Sequence, residues 1–270
     1  MCSSDLHNSA GSEPLAFHTP DNRHFYGHGV FSPDGQLLYA AENAFDSSEG
    51  VIGIYDATNS FARIGEFPSH GIGPHEIVMM PDGKTLCVAN GGIRTHPDQG
   101  RQKLNLPTMA PTIVLIDSLT GSLLSSHALP DTLHRLSLRH MAVDAASQVW
   151  IGGQYEGDAM DDVPVLAKLG HNTGLVSVDL PDDVAVSFGK YAGSVAIGND
   201  GATLAVASPK SGVVLTFDTR TGKPINLETS VRTCGVQASG NGFISSSELG
   251  RFGKSAHDLA WDNHIAKTGS

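Results

Sequence analysis

A chain of 270 residues with 31 glycines and 14 prolines is long enough for one large all-β domain, a class that reaches this size without splitting. Its formal net charge of −11 leaves no basic stripe to meet phosphate, so nucleic acid is not an expected partner. Three cysteines, Cys2, Cys87 and Cys234, give no disulfide framework, and no apolar run is long enough to span a membrane.

In chain order, residues 1–6 back-translate to the end of a common sequencing adapter, and the chain opens in mid-repeat. The expectation is therefore an artefactual or disordered start over residues 1–20, with the true N-terminus missing. The repeat begins at residues 27–35, Gly-His-Gly-Val-Phe-Ser-Pro-Asp-Gly, and returns at 75–83 as His-Glu-Ile-Val-Met-Met-Pro-Asp-Gly. Self-similarity at a period near 50 residues is the signature of a β-propeller.

Anchoring on the turn residue aligns Gly35, Gly83, Ser147, Gly201 and Gly242. After the anchor come short apolar runs at 37–42, 85–90, 149–154 and 203–208, each too short for a globular helix and rich in strand formers. Pro-Asp-Gly suits the turn before them: proline presets φ, aspartate caps locally and glycine accepts positive φ. A third strand is predicted at 51–56, 112–117 and 212–218, each closing on an aspartate (Asp56, Asp117, Asp218). A fourth follows, as at 123–129. Four antiparallel strands per unit make one propeller blade. A β-sandwich also gives short strands between turns. It does not explain why the same turn, the same preceding position and the same closing aspartate recur together.

The fold expected is all-β: a single β-propeller domain over 21–266, with a tail at 267–270. Five anchors plus a leftover strand at 256–264 point to about five blades and a closing strand, with one or two blades absent at the front. The alternative is a complete five-bladed ring.

Several phrases carry a resemblance: His24-Phe-Tyr-Gly-His-Gly-Val-Phe-Ser-Pro-Asp-Gly, Ser69-His-Gly-Ile-Gly-Pro-His-Glu, Asn90-Gly-Gly-Ile-Arg-Thr-His-Pro-Asp, Lys103-Leu-Asn-Leu, Gln154-Tyr-Glu-Gly and Trp261-Asp-Asn-His. Over about residues 20 to 266 the chain resembles a bacterial family known as domain of unknown function fifteen-thirteen. The resemblance implies a seven-bladed, quinoprotein-dehydrogenase-like propeller, exported to the periplasm by a signal sequence that this chain does not carry. It implies genomic company with imelysin-like, iron-regulated lipoproteins and a di-haem oxidoreductase-like protein, hence a part in iron or other metal acquisition. Members usually open with a further Arg-Gly-His-Gly blade, which is not in this sequence.

The chemistry lies at the start of each first strand, where a propeller blade nears the central channel. Seven residues before the anchors stand His28, Glu76, His140, Ser194 and Gly235; eight before stand Gly27, His75, Arg139, Gly193 and Cys234. The expected metal ligands are His28, His75, Glu76, His140 and Cys234, arranged in two staggered layers. Imidazole, carboxylate and thiolate suit borderline transition metals, so Fe, Cu or Zn are all open. The plainer reading has each histidine bonding a backbone carbonyl of a neighbouring blade. His18, His171 and His264 have no such placement and read as surface residues.

The second blade carries a long insertion, residues 91–111, which gathers Arg94, His96, Arg101 and Lys103 on an acidic protein. A loop of this length in a compact domain is usually functional or disordered. Its arginines suit a carboxylate or phosphate, or the protein's own acids. Glu42, Asn90 and Gln154 share one position at second-strand ends, as links between blades or as the lining of the channel mouth. The expected ligand-binding set is thus Arg94, His96, Arg139, Glu42, Asn90 and Gln154.

The function expected is that of a non-catalytic periplasmic binding or accessory protein in metal acquisition, whose partners are other periplasmic metal-uptake proteins. The alternative is a metal- or quinone-dependent enzyme, lactonase- or dehydrogenase-like, with metal-bound water as nucleophile and Glu76 as base. A protein-interaction scaffold is the third reading.

Overall fold

The computed structural model describes residues 4–6, 15–100, 102–261 and 264–265. Among these residues it forms five four-stranded antiparallel sheets, each made of four strands consecutive in the chain. The fold is all-β, in the blade pattern of a β-propeller, as the repeat predicts.

The chain divides into two compact units, residues 1–137 and 138–270. The first holds sheet one (His24–Phe31, Leu37–Ala44, Glu49–Asp56, Ala62–Pro68) and sheet two (Pro74–Met79, Thr85–Asn90, Thr112–Asp117, Leu123–His127). The second holds nearly all of sheet three (Leu136–Val143, Val149–Tyr155, Leu166–Gly170, Gly174–Ser177). It also holds sheet four (Ser194–Ile197, Thr203–Ser208, Val213–Asp218, Pro224–Thr229) and sheet five (Thr233–Ser239, Gly242–Ser247, Arg251–Phe252, Ser255–Ala256).

The turns form as their chemistry dictates. Asp82 Oδ1 accepts from the amides of Lys84 at 2.8 Å and Thr85 at 2.9 Å, and Asp200 does the same for Ala202 and Thr203. Asp34 and Asp144 cap the corresponding turns of sheets one and three. The closing aspartates work alike: Asp56 accepts from Thr58 N, Asp117 from Thr120 N and Asp218 from Thr221 N. These seven hairpins are therefore set by hydrogen bonds made within a few residues.

In the first four sheets the second strands are largely buried and the outermost ones half wet, which is why the second-strand runs are mostly apolar. In the first unit Tyr39, Ile52, Ile54, Ile77, Leu86, Val88, Val114 and Ile116 form one core shared by sheets one and two. In the second unit Ala196, Ala205, Ala207 and Val236 join sheets four and five. The fully buried Trp150 gives its indole N–H to Asp144 Oδ2 at 2.9 Å, tying sheet three to its own turn.

Four features differ from the sequence expectation. Phe17, ahead of the expected domain start, is buried and stacks on Phe61 with ring centres 4.9 Å apart. A seven-residue helix, Asp182–Phe188, lies between sheets three and four. Pro181 and two aspartates open it and Gly189 at φ 73° ends it; seven residues are too few to show a helical period. The strand predicted at 256–264 is confined to Ser255–Ala256, residues 257–261 are not strand, and 262–263 lie outside the described residues. The tail expected at 267–270 and most of residues 1–14 also lie outside them.

The fourth difference concerns the fifth anchor. The residue with positive φ is Gly35, Gly83, Ser147 or Gly201 in the first four turns, and Gly240 rather than Gly242 in the fifth. Ser239 pairs directly with Gly242, so this hairpin is tighter. The assignment of Gly235 survives for a different reason. Glu76 pairs with Ala89 and Ser194 with Ala207, each six positions past the turn residue (83 to 89, 201 to 207). Six past Gly240 is Ser246, and Gly235 N donates to its hydroxyl at 3.0 Å.

Candidate metal centre and its surroundings

In the first unit two of the expected ligands come together. The rings of His28 and His75 have centroids 5.6 Å apart, inclined at 47°, and a ring nitrogen of each lies within 4.8 Å of the other. Both side chains are half-buried. The sequence register put them in different layers. Local irregularities bring them together: each first strand carries a register shift at this point, between Phe25 and Gly29 and between Pro74 and Glu76. Gly27 completes the approach, because a Cβ there would fall on the carbonyl of His75 and 2.7 Å from its Cα. Only glycine lets the two strands come so close.

Glu76 follows His75 and closes the register shift that begins at Pro74. The charge of Glu76 acts on the buried thiol of Cys87. Burial first, and Glu76 second, push that thiol up to about 12, so Cys87 is an inert core residue.

In the second unit His140 is buried, and burial, helped by the adjacent Arg139, pushes its imidazole down to about 3. It is neutral at physiological pH, the form that ligates metals. His264, expected to be a plain surface residue, is exposed but brings its ring to 4.8 Å from that of His140. Arg139 stands 3.6 Å from Glu156 Oε1. Cys234 is buried with its thiol directed at Arg232 O, 3.5 Å away, within its own strand neighbourhood.

The residues at the second-strand ends are engaged internally. Glu42 is fully buried, accepts from the Tyr55 hydroxyl and takes Arg63 Nη2 at 2.9 Å; Arg63 continues to Glu66, and Glu66 to Arg23 at 2.7 Å. Hydrogen bonds to Glu42 and Glu66 hold Arg63 charged against its burial, while Arg23 and then Arg63 hold the Glu66 carboxyl down at about 2. Asn90, also buried, accepts from Ser69 Oγ at 2.8 Å and donates to Ser69 O at 3.0 Å and Thr112 Oγ1 at 3.2 Å. It thus fixes the connection from sheet one. Gln154 forms a backbone bridge with Tyr191. The same position holds Ser208, bonded to Phe188 O at 2.8 Å, and Ser247. It is a repeating internal tie.

The insertion is ordered around Asn105, whose Oδ1 accepts from Arg94 N at 2.7 Å and whose Nδ2 donates to Gly92 O at 2.9 Å. Arg94 is exposed; Arg101 lies outside the described residues. His96 caps the short 3-10 turn Pro97–Gln99, accepting from Asp98 N, and meets Phe45 edge-on at 5.5 Å.

Sequence reasoning passed over one neighbourhood in the first unit. His24 and Asn43 are cross-strand partners, and His24 Nδ1 and both amide atoms of the buried Asn43 make no hydrogen bond within the structure. Phe45 and Tyr26 lie 5.8 and 5.7 Å from the His24 ring. Burial, then His96, lower the His24 imidazole. The sequence carried no signal for this pairing, because the register shift between Phe25 and Gly29 moves His24 from the partner that the hairpin count gives, residue 45, to Asn43.

The sequence matches the family described as "Protein of unknown function (DUF1513)" over residues 3–268. The chain belongs to this family. Among curated proteins none matches it. Two solved structures resemble this DUF1513 chain in fold. The Kuenenia stuttgartiensis hydrazine synthase is 14% identical with a TM-score of 0.57, over 80% of this chain and 67% of that one. The dihydro-heme d1 dehydrogenase NirN, in complex with DHE, is 17% identical with a TM-score of 0.55, over 88% of this chain. The DUF1513 chain spans 45% of the NirN chain. At these identities the likeness shows the propeller fold alone. No helix among the described residues is long and apolar enough to cross a membrane.

Proposed function

We propose that the protein is a non-catalytic periplasmic accessory protein that binds a transition metal through His28 and His75 and serves in iron or other metal acquisition. The observation that carries the reading is the pair of imidazoles with ring nitrogens within 4.8 Å of one another. Metal–imidazole bonds of about 2.0–2.1 Å hold two ligand nitrogens roughly 3.3 Å apart in tetrahedral geometry. Small ring rotations close that gap, because Gly27 already fixes the backbones in contact. Imidazole suits Fe, Cu and Zn alike, and neither the ligand type nor the pair chooses among them. The genomic company that the family resemblance implies makes iron the first metal to test, and periplasmic metal-uptake proteins the proposed partners.

The test is metal content and affinity. The purified chain is dialysed against Fe2+, Cu2+ and Zn2+ separately, its metal measured by mass spectrometry and its affinity by calorimetry. His28→Ala and His75→Ala are each expected to remove one equivalent. His140→Ala is carried alongside, since the repeat gives it the position of His28 and Glu76. Unchanged stoichiometry in both His28→Ala and His75→Ala would overturn the reading. Metal-dependent turnover of lactones or alcohols by the loaded chain would replace the accessory role with an enzymatic one.

A further inference from the structure

The second unit contains a groove of about 840 Å³ between the loop around Met160 and the segment from Asp179 to Lys190. Its walls carry Met160, 89% exposed, and Val186, 83% exposed, the two most exposed large apolar side chains among the described residues. Apolar groups held that far into water cost free energy that burial against a partner recovers.

Both walls are ordered, so this exposure is not slack. In the loop, Tyr155 donates its hydroxyl to Asp161 at 2.6 Å, Asp158 N donates to the same carboxylate at 3.2 Å, and Met160 N donates to Asp158 at 2.8 Å. Opposite, the helix Asp182–Phe188 is pinned by its fully buried Phe188, whose carbonyl accepts from Ser208 and Ser211 at 2.8 Å.

The charge of the groove is one-sided. Asp161, Asp162, Asp179 and Asp182 line it and are all exposed. The lining cation, Lys190, has its ammonium nitrogen buried and set over the Tyr155 ring, 5.5 Å from the centroid. Carboxylates face water while the cation is withdrawn, so the groove presents apolar surface rimmed with negative charge.

We infer that this groove docks a basic, amphipathic peptide segment of a partner protein, its apolar face on Met160 and Val186 and its lysines or arginines on Asp162, Asp179 and Asp182. Helix-in-groove recognition has this form, an apolar stripe seated between charge-matched rims. The rim charges set orientation and rate of encounter, and the apolar contacts set residence.

The experiment uses a fluorescein-labelled amphipathic Leu/Lys peptide and the same pattern with Glu for Lys, followed by anisotropy across a salt series. The lysine peptide binds, more weakly as salt rises, and the glutamate peptide does not. The triple change Asp162→Asn, Asp179→Asn, Asp182→Asn weakens binding about tenfold, as does Met160→Ser with Val186→Ser, with thermal unfolding unchanged. A charge-matched control, Asp21→Asn, Asp131→Asn, Asp258→Asn, stays within about twofold. Equal weakening by the control, or no effect of the Met160 and Val186 changes, overturns the inference as non-specific attraction to an acidic protein. Self-association abolished by Met160→Ser with Val186→Ser overturns it in favour of a second copy of this chain.

Discussion

Gly27 lies directly against the carbonyl of His75, and this backbone contact sets the imidazole of His28 beside that of His75. The histidine pair is thus a product of where two strands touch.

Gly27→Ala places a methyl group on that carbonyl and forces the strands apart. A loss of about 1–3 kcal/mol in stability is expected, as for other overpacked sites. Metal affinity falls with it, while His28→Ala removes metal at little cost in stability. Urea unfolding and calorimetry on the two variants separate these effects; equal stability of Gly27→Ala and the parent would contradict the contact.

Arg63→Met leaves the buried Glu42 carboxylate without its cation. Breaking one side of a buried pair costs about 3–5 kcal/mol, so a large drop in the urea midpoint is expected. Glu42→Gln keeps an acceptor for the Tyr55 hydroxyl and is milder. The reverse order of the two variants would show that the carboxylate, not the pair, dominates.

The pH dependence follows from His140. Its folded imidazole titrates at about 3, whereas the unfolded chain protonates it near 6.5. Between these values the unfolded state binds the extra proton. The contribution to stability is therefore present above about pH 6.5 and is lost progressively as pH falls towards 3. His24, also lowered, acts in the same direction. Glu66, held at about 2, adds a loss that begins only below about pH 4.5. His140→Gln should flatten the unfolding midpoint between pH 6 and 4.5; an unchanged slope there would remove His140 as its source.

Asn43 carries two buried amide atoms that make no hydrogen bond within the structure. Replacing such a group by an apolar one of similar size relieves a desolvation cost of about 1–3 kcal/mol. Asn43→Leu is expected to raise the thermal midpoint by about 2–4 °C for each kcal/mol relieved, read by differential scanning calorimetry. A lower midpoint would mean that the amide is satisfied in solution, by water shared with His24.

Most of the architecture was legible in the sequence because each turn is encoded on the spot. Asp34, Asp82, Asp144 and Asp200 cap their own hairpins, so a local phrase gives a local structure. Legibility failed where lengths changed: the fifth turn is tighter, and the helix Asp182–Phe188 is shorter than any period detects. The site was legible only in residue type. That His28 meets His75 depends on two strand irregularities and a glycine contact, none of which the repeat register contains. Glu42 and Asn90 read as ligands because polar groups in apolar runs stand out; Tyr55, Arg63 and Ser69, which engage them, come from other strands and connections.

Each of the five four-stranded sheets is made of strands consecutive in the chain, so almost all pairing is between near neighbours in sequence. Such a chain closes small loops, and loop-closure entropy imposes little delay on any one sheet. Each stretch of about fifty residues is then a unit that pairs its own strands but shares its core with a neighbour, and gene duplication can copy or drop it whole. Lineages of this fold can vary blade number while leaving a histidine-bearing pair of neighbouring blades untouched.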